Sequence, residues 1–160
     1  MPRKQSSVAD GGALPRVDVL QRFCREQGLR LTHQRRAVLE ALVEANDHPA
    51  AEQVYQRVHR RLPSLARATV FRILDQFVSS GIVGKACHPG RGVRYDAVTE
   101  LHHHLVCMKC EQMIDIFDRG LDGIPLPDTA STGFKVVDFR VQLRGLCSRC
   151  QRQTRKEERK

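Results

Sequence analysis

Two cysteine pairs, Cys107-x-x-Cys110 and Cys147-x-x-Cys150, bring four sulfurs to the chain in two close groups. Four thiolates suit tetrahedral zinc, which undergoes no redox change and is held tightly by such knuckles. With every position filled by protein, the ion predicted here is structural. The competing reading is a redox Cys-x-x-Cys, but that needs one pair at a helix start in a βαβ unit, a setting the sequence pattern offers to neither. Just upstream stands His102-His103-His104. Alternate side chains of a strand share a face, so His102 and His104 can grip one ion while His103 points the other way. Asp96 and Asp115 would complete a mixed nitrogen and oxygen shell that favours iron, manganese or zinc over a soft metal. A surface histidine cluster without an ion is the plainer alternative.

The elements that must position these groups change character along the chain. Residues 1–15 read as a flexible arm. From Val17 the apolar residues Val17, Leu20, Phe23 and Cys24 recur at helical spacing, and Gly28 suits the left-handed residue that ends such a helix. Thr32 is placed to cap a second helix with the stripe Val38, Leu39, Leu42 and Ala45, stopping near Asn46-Asp47-His48-Pro49. A third carries Val54, Val58 and Leu62. A fourth runs from about Arg67 to Gly81, burying Val70, Leu74, Phe77 and Val78 and leaving Thr69, Arg72 and Gln76 one turn apart on its other side. Ile82-Val83, a basic turn at His88 to Gly92 and Val93-Arg94-Tyr95 then read as a hairpin. Helices followed by such a wing describe a winged helix-turn-helix over residues 16–96; a plain helical bundle with a hairpin is the alternative.

Beyond Glu100 the pattern turns to strands at Leu105 to Cys107, Met113 to Phe117 and Lys135 to Leu143, with any helix confined between Arg119 and Gly133. Pro125 and Pro127 argue for a short helix or a loop there. The predicted class is α+β: a winged-helix head followed by a small α/β domain, residues 97–150, with a four-cysteine zinc site. Residues 151–160 read as a charged, frayed tail. His33, His59 and His88 read as surface residues, and Cys24 as core.

Charge indicates the partner. The net charge is +9; residues 1–99 contribute +7, residues 100–148 contribute −2 and residues 149–160 contribute +4. A cationic first half points to a polyanion, nucleic acid above all. No apolar run approaches the roughly 20 residues of a membrane-spanning helix, and no secretion signal precedes Arg16, so a cytoplasmic location is expected. That setting keeps thiols reduced and favours metal ligation over disulfides.

Taken in order, Leu31-Thr32-x-Gln34-Arg35-Arg36, His48-Pro49, Ala68-Thr69-Val70-Phe71-Arg72, Arg94-Tyr95-Asp96, His102-His103-His104-Leu105-Val106-Cys107-x-x-Cys110 and Gly145-Leu146-Cys147-x-x-Cys150 resemble the ferric uptake regulator family. The resemblance spans about Val17 to Cys150. It implies a dimeric, metal-dependent repressor of transcription that controls metal homeostasis or a peroxide response, binds a palindromic DNA operator and uses residues 97–150 as its dimerisation domain. By position, it places regulatory ligands at His48, Asp96, His102, His104 and Asp115. Asp115 stands where iron-sensing members carry Glu and so resembles the peroxide-sensing branch, which uses ferrous iron to oxidise a ligand histidine. Cys87 matches no cysteine of the zinc-sensing members. Leu101 and Phe139 replace histidines of a further site in some members, and Phe71 replaces the usual Tyr.

The expected metals are therefore structural Zn2+ and regulatory Fe2+ or Mn2+, with Zn2+ an alternative. Expected DNA contacts are Arg67, Thr69 and Arg72 on the fourth helix, Tyr55 on the third and Arg91 on the wing. Three rivals are kept: a zinc-responsive uptake regulator, a non-haem iron enzyme using two histidines and a carboxylate, and a zinc-ribbon protein that binds RNA or protein. The basic helical half speaks against the enzyme, whose usual setting is a β-barrel.

Overall fold

A computed structural model describes residues 17–44, 47–88, 92–98 and 100–157. The expected arm, the helix-stripe residue Ala45, Asn46, the turn residues Pro89 to Arg91 and the last three residues lie outside the described residues. The chain divides into two compact units, Ala13–Glu100 and Leu101–Lys160.

In the first unit α1 (Val17–Glu26) ends where Gly28 adopts φ +67°, a backbone conformation that costs glycine little. The Thr32 side chain accepts a hydrogen bond from the Arg35 N–H and so caps α2 (His33–Val43). α3 (Ala51–Arg61) and α4 (Arg67–Ser79) follow. Their inward stripes, Val38, Leu39 and Leu42 on α2, Val54 and Val58 on α3, and Val70, Leu74 and Phe77 on α4, meet Leu20 and Cys24 of α1 in one buried cluster. α4 buries Ile73 more fully than the expected Val78. Ile82 and Val83 do not start a strand. They belong to the turn after α4, where both are buried.

The hairpin is β1 (Gly84–His88) against β2 (Gly92–Asp96), antiparallel, with Gly84 opposite Asp96 and His88 opposite Gly92. His88, read above as a surface residue, is buried: side chains alternate along β1, and His88 shares the inward face of Ala86.

The second unit is a three-stranded sheet of order β4-β3-β5. β3 (His103–Cys107) runs antiparallel to β4 (Met113–Ile116) and parallel to β5 (Gln142–Gly145). The segment between Arg119 and Gly133 holds only the four-residue α5 (Arg119–Asp122) and a single 3-10 turn, as its prolines require.

Two expectations are corrected here. Lys135 to Leu143 is not a strand over its length; only its end enters β5, and Phe134 and Val137 are 72% and 87% exposed. Its alternation is genuine, but a strand exists only where a neighbour supplies hydrogen bonds. The residues read as a frayed tail form α6 (Ser148–Glu157). Its first turn is tethered by buried Cys150 and its last by a Lys109–Glu157 ion pair at 2.9 Å, long-range anchors that periodicity does not reveal.

Candidate metal centres and reading helix

The four cysteine sulfurs lie within 4.8 Å of one another. Cys107 ends β3 and Cys110 lies in the tight turn that follows, which Glu111, at φ +61°, closes by donating its N–H to the Cys107 carbonyl. Cys147 and Cys150 straddle the start of α6. This differs from the sequence reading, which placed neither pair at a helix start. The redox alternative gains nothing from it, because two further sulfurs sit at the same point. The Cys110 and Cys147 sulfurs are 3.7 Å apart, and the edge of a tetrahedron with zinc–sulfur bonds of about 2.3 Å is about 3.8 Å. The donor set therefore fits zinc.

The electrostatics agree. Burial opposes ionisation of Cys107, but N–H groups of Cys110, Cys147 and Lys109, with the Cys110 thiol, aim at its sulfur and lower its pKa to about 5. Cys110 is lowered as well, chiefly by the Gln112 N–H. Cys150 is pushed up to about 12, first by burial and then by the neighbouring sulfurs. The cluster holds thiolates yet resists full ionisation, and a divalent cation relieves that conflict.

The histidines sort as the alternation of a strand requires. His102 and His104 bring their Nε2 atoms to 3.1 Å of each other, and Asp115 Oδ1 lies 3.6 Å from both. Asp115 arrives there because β4 pairs it directly opposite His104. Both imidazoles are buried. Two nitrogens and a carboxylate oxygen converging in a buried spot form a donor set for a borderline or hard divalent cation.

His103 turns to the other face. Its Nδ1 accepts from the Val141 N–H at 3.1 Å, so its Nε2 carries the proton and donates to Asp122 at 3.1 Å. Both nitrogens are thus engaged in holding α5 and the chain entering β5. Sequence reasoning missed this Asp122 contact, which no local spacing signals.

In the first unit His48 Nε2 lies 3.7 Å from Asp96 Oδ1, and both residues are buried. Asp96 also accepts the Val98 N–H at 2.9 Å.

Among the residues expected to touch DNA, Thr69 and Arg72 of α4 line an open cleft with Thr32, Gln34, Arg35 and Gln76. Arg72 is exposed. Gln76 is tied back by Arg35, which donates to its Oε1 at 3.0 Å and to the Arg30 carbonyl at 2.6 Å. Arg67 pairs with Glu52 at 2.7 Å and lies over the Phe71 ring at 5.2 Å. Tyr55 is half-buried against the core with its hydroxyl 3.5 Å from His59 Nδ1. Arg91 lies outside the described residues.

Residues 26–144 match the model of the ferric uptake regulator family. The chain belongs to that family. It is 36% identical over 126 residues to the peroxide operon regulator of Bacillus subtilis (strain 168), covering 79% of this chain and 87% of that protein. Identity to the peroxide-responsive repressor PerR of Staphylococcus epidermidis is 31% over 126 residues, 79% of this chain and 84% of that one. Among solved structures, a zinc-bound manganese uptake regulator superposes with TM-score 0.63 at 29% identity, covering 80% of this chain and 98% of that chain. The Pseudomonas aeruginosa ferric uptake regulator with manganese gives TM-score 0.60 at 27% identity, over 81% of this chain and 98% of that chain. As a family member, this chain is a metal-responsive regulator. Among the described residues, no helix is long and apolar enough to cross a membrane.

Proposed function

We propose that the chain is a cytoplasmic, homodimeric repressor, not an enzyme, that binds a palindromic operator while His48, Asp96, His102, His104 and Asp115 hold one ferrous or manganous ion. The observation that carries this reading is the convergence of His102, just before β3, with His104 on β3 and Asp115 on β4, the two imidazoles buried and their Nε2 atoms 3.1 Å apart. His48 and Asp96 form a second buried cluster in the head. A bound divalent cation supplies the charge that lets imidazole lone pairs and carboxylates share one centre.

Ligands drawn from both units make metal binding favour whichever arrangement brings them together. A coupling of about 1–3 kcal/mol changes operator affinity roughly five- to 150-fold. On DNA, α4 is the reading helix, with Thr69 and Arg72 presented to the groove, Arg67, Tyr55 and Arg91 flanking, and a twofold dimer setting the half-site spacing. Cys107, Cys110, Cys147 and Cys150 hold structural zinc and anchor the second unit.

Within the family, Asp115 and the similarity to the peroxide operon regulator favour peroxide as the signal. The test loads the protein with Fe2+, adds peroxide, and follows operator binding beside the mass of the peptide spanning His102 to His104. A gain of one oxygen atom together with operator release is expected. An unmodified peptide with DNA retained rejects the peroxide response. It would select a metal-uptake regulator, the reading favoured by similarity to the manganese uptake regulator.

A further inference from the structure

His48 stands in an unusual place. Its φ is +47°, a left-handed conformation that a non-glycine residue adopts only when its surroundings over-determine it. Those surroundings are anchors on either side. Asp47, the preceding residue, is gripped by Arg57 of α3, with Nη1 to Oδ1 at 3.1 Å and Nη2 to Oδ2 at 2.5 Å. The same Nη1 donates to the Ala41 carbonyl of α2 at 3.3 Å. Pro49, the following residue, accepts the N–H of Tyr95 at 3.0 Å, and Tyr95 directly precedes Asp96. Gln53 closes the frame: its Oε1 accepts from the Ala50 N–H and from Arg94, both at 2.8 Å, tying the chain just after His48 to the strand that carries Asp96.

The Arg57 contact differs from an ordinary surface ion pair. One turn further along α3, Arg61 pairs with Glu44, and both of those side chains are 45% exposed. Asp47 is 41% exposed, but Arg57 is only 16% exposed, bidentate and bonded to a third acceptor on another helix. Such a planar fork fixes direction as well as distance.

We propose that Arg57 is a positioning residue for the regulatory metal. Its grip on Asp47 keeps His48 in the left-handed conformation and, with Gln53, sets the approach of His48 to Asp96. This rests on the assignment of His48 and Asp96 as ligands. Groups that orient ligands from behind are typically worth about ten- to a hundredfold in metal affinity.

The test measures Mn2+ binding to the zinc-loaded full chain by the electron paramagnetic resonance signal of free Mn2+. It compares the wild type with Arg57→Gln, Arg57→Lys, Gln53→Ala, Arg61→Gln and His48→Ala, below the unfolding temperature of each. Arg57→Gln is expected to weaken Mn2+ about tenfold while zinc content stays the same and saturating Mn2+ restores operator binding. Arg57→Lys and Gln53→Ala are expected to fall between Arg57→Gln and wild type, and Arg61→Gln to match wild type. Wild-type Mn2+ affinity in Arg57→Gln overturns the proposal, even if that variant melts earlier, because a purely structural pair would move only the melting point. If His48→Ala also keeps wild-type affinity, the ligand assignment falls with it. If His48→Ala loses the ion and Arg57→Gln does not, only the positioning role falls.

Discussion

Removing zinc should unfold the second unit and leave the first standing. Among the described residues of Leu101–Lys160, the buried apolar side chains are Val106, Met113, Cys107 and Cys150, and the two cysteines belong to the metal cluster. Burying Val106 and Met113 contributes about 1.5–3 kcal/mol each. Ordering the backbone costs about 1–2 kcal/mol per residue. Even with the hydrogen bonds of three short strands, two buried side chains do not offset that cost. Structural zinc supplies about 10–16 kcal/mol in small zinc domains, as much as the whole stability of an ordinary one. The Cys110 to Cys147 contact at 3.7 Å spans the two knuckles, so the ion closes the loop that joins β3 to α6. The first unit has its own core of buried residues from all four helices and needs no ion. The perturbation is a strong chelator under reducing conditions, with Cys147→Ser as its genetic counterpart. Circular dichroism should keep most of its helical signal, since α1 to α4 hold most of the helix, while thiol titration finds the four clustered sulfurs newly reactive. A chelated protein that melts as the native one does, with those sulfurs still protected, would refute the reasoning.

Leu74 is wholly buried at the centre of the helical core, and Leu74→Ala should cost about 2–5 kcal/mol, read as a lower melting midpoint of the first unit. Arg72→Ala removes an exposed cation, so fluorescence anisotropy should show operator affinity falling roughly five- to 150-fold, about 1–3 kcal/mol, with no change in melting; unchanged affinity takes Arg72 off the DNA surface. The pH response of the cysteine cluster follows from Cys107. Its folded pKa is lowered from 9.0 to about 5, so the stability it contributes is present above pH 9 and is lost as pH falls through about 5. A chromophoric chelator should therefore see zinc retained at neutral pH and released on acidification; release already complete at pH 7 would contradict that account.

The clustering of the four cysteines and the helical head were legible because both follow local rules. Cys107 and Cys110 sit three apart, as do Cys147 and Cys150, and a knuckle needs no more than that spacing. The stripes that bury Val38, Val54, Val70 and Leu74 repeat at the helical period, and the cap at Thr32 is a side-chain property. That His102 and His104 share one face while His103 takes the opposite one followed from strand alternation alone, although all three are buried. The partner of His103 did not, because Asp122 reaches it only through α5.

Each residue settles certain matters with its near neighbours: helix faces, caps, the paired cysteines and the excess of positive charge over residues 1–99. Where distant segments find partners is settled only in three dimensions. Lys135 to Arg140 carries a strand pattern but pairs with no neighbouring strand, whereas the Val141 carbonyl accepts the His104 N–H and Gln142–Gly145 joins β3. The charged C-terminal residues lack apolar periodicity yet become a helix because Cys150 is pinned beside Cys107. His48 holds a left-handed backbone because Arg57, Tyr95 and Gln53 grip the residues around it. Hydrogen bonds and coordination are satisfied in space, and the chain order names the donors without saying which of them will meet.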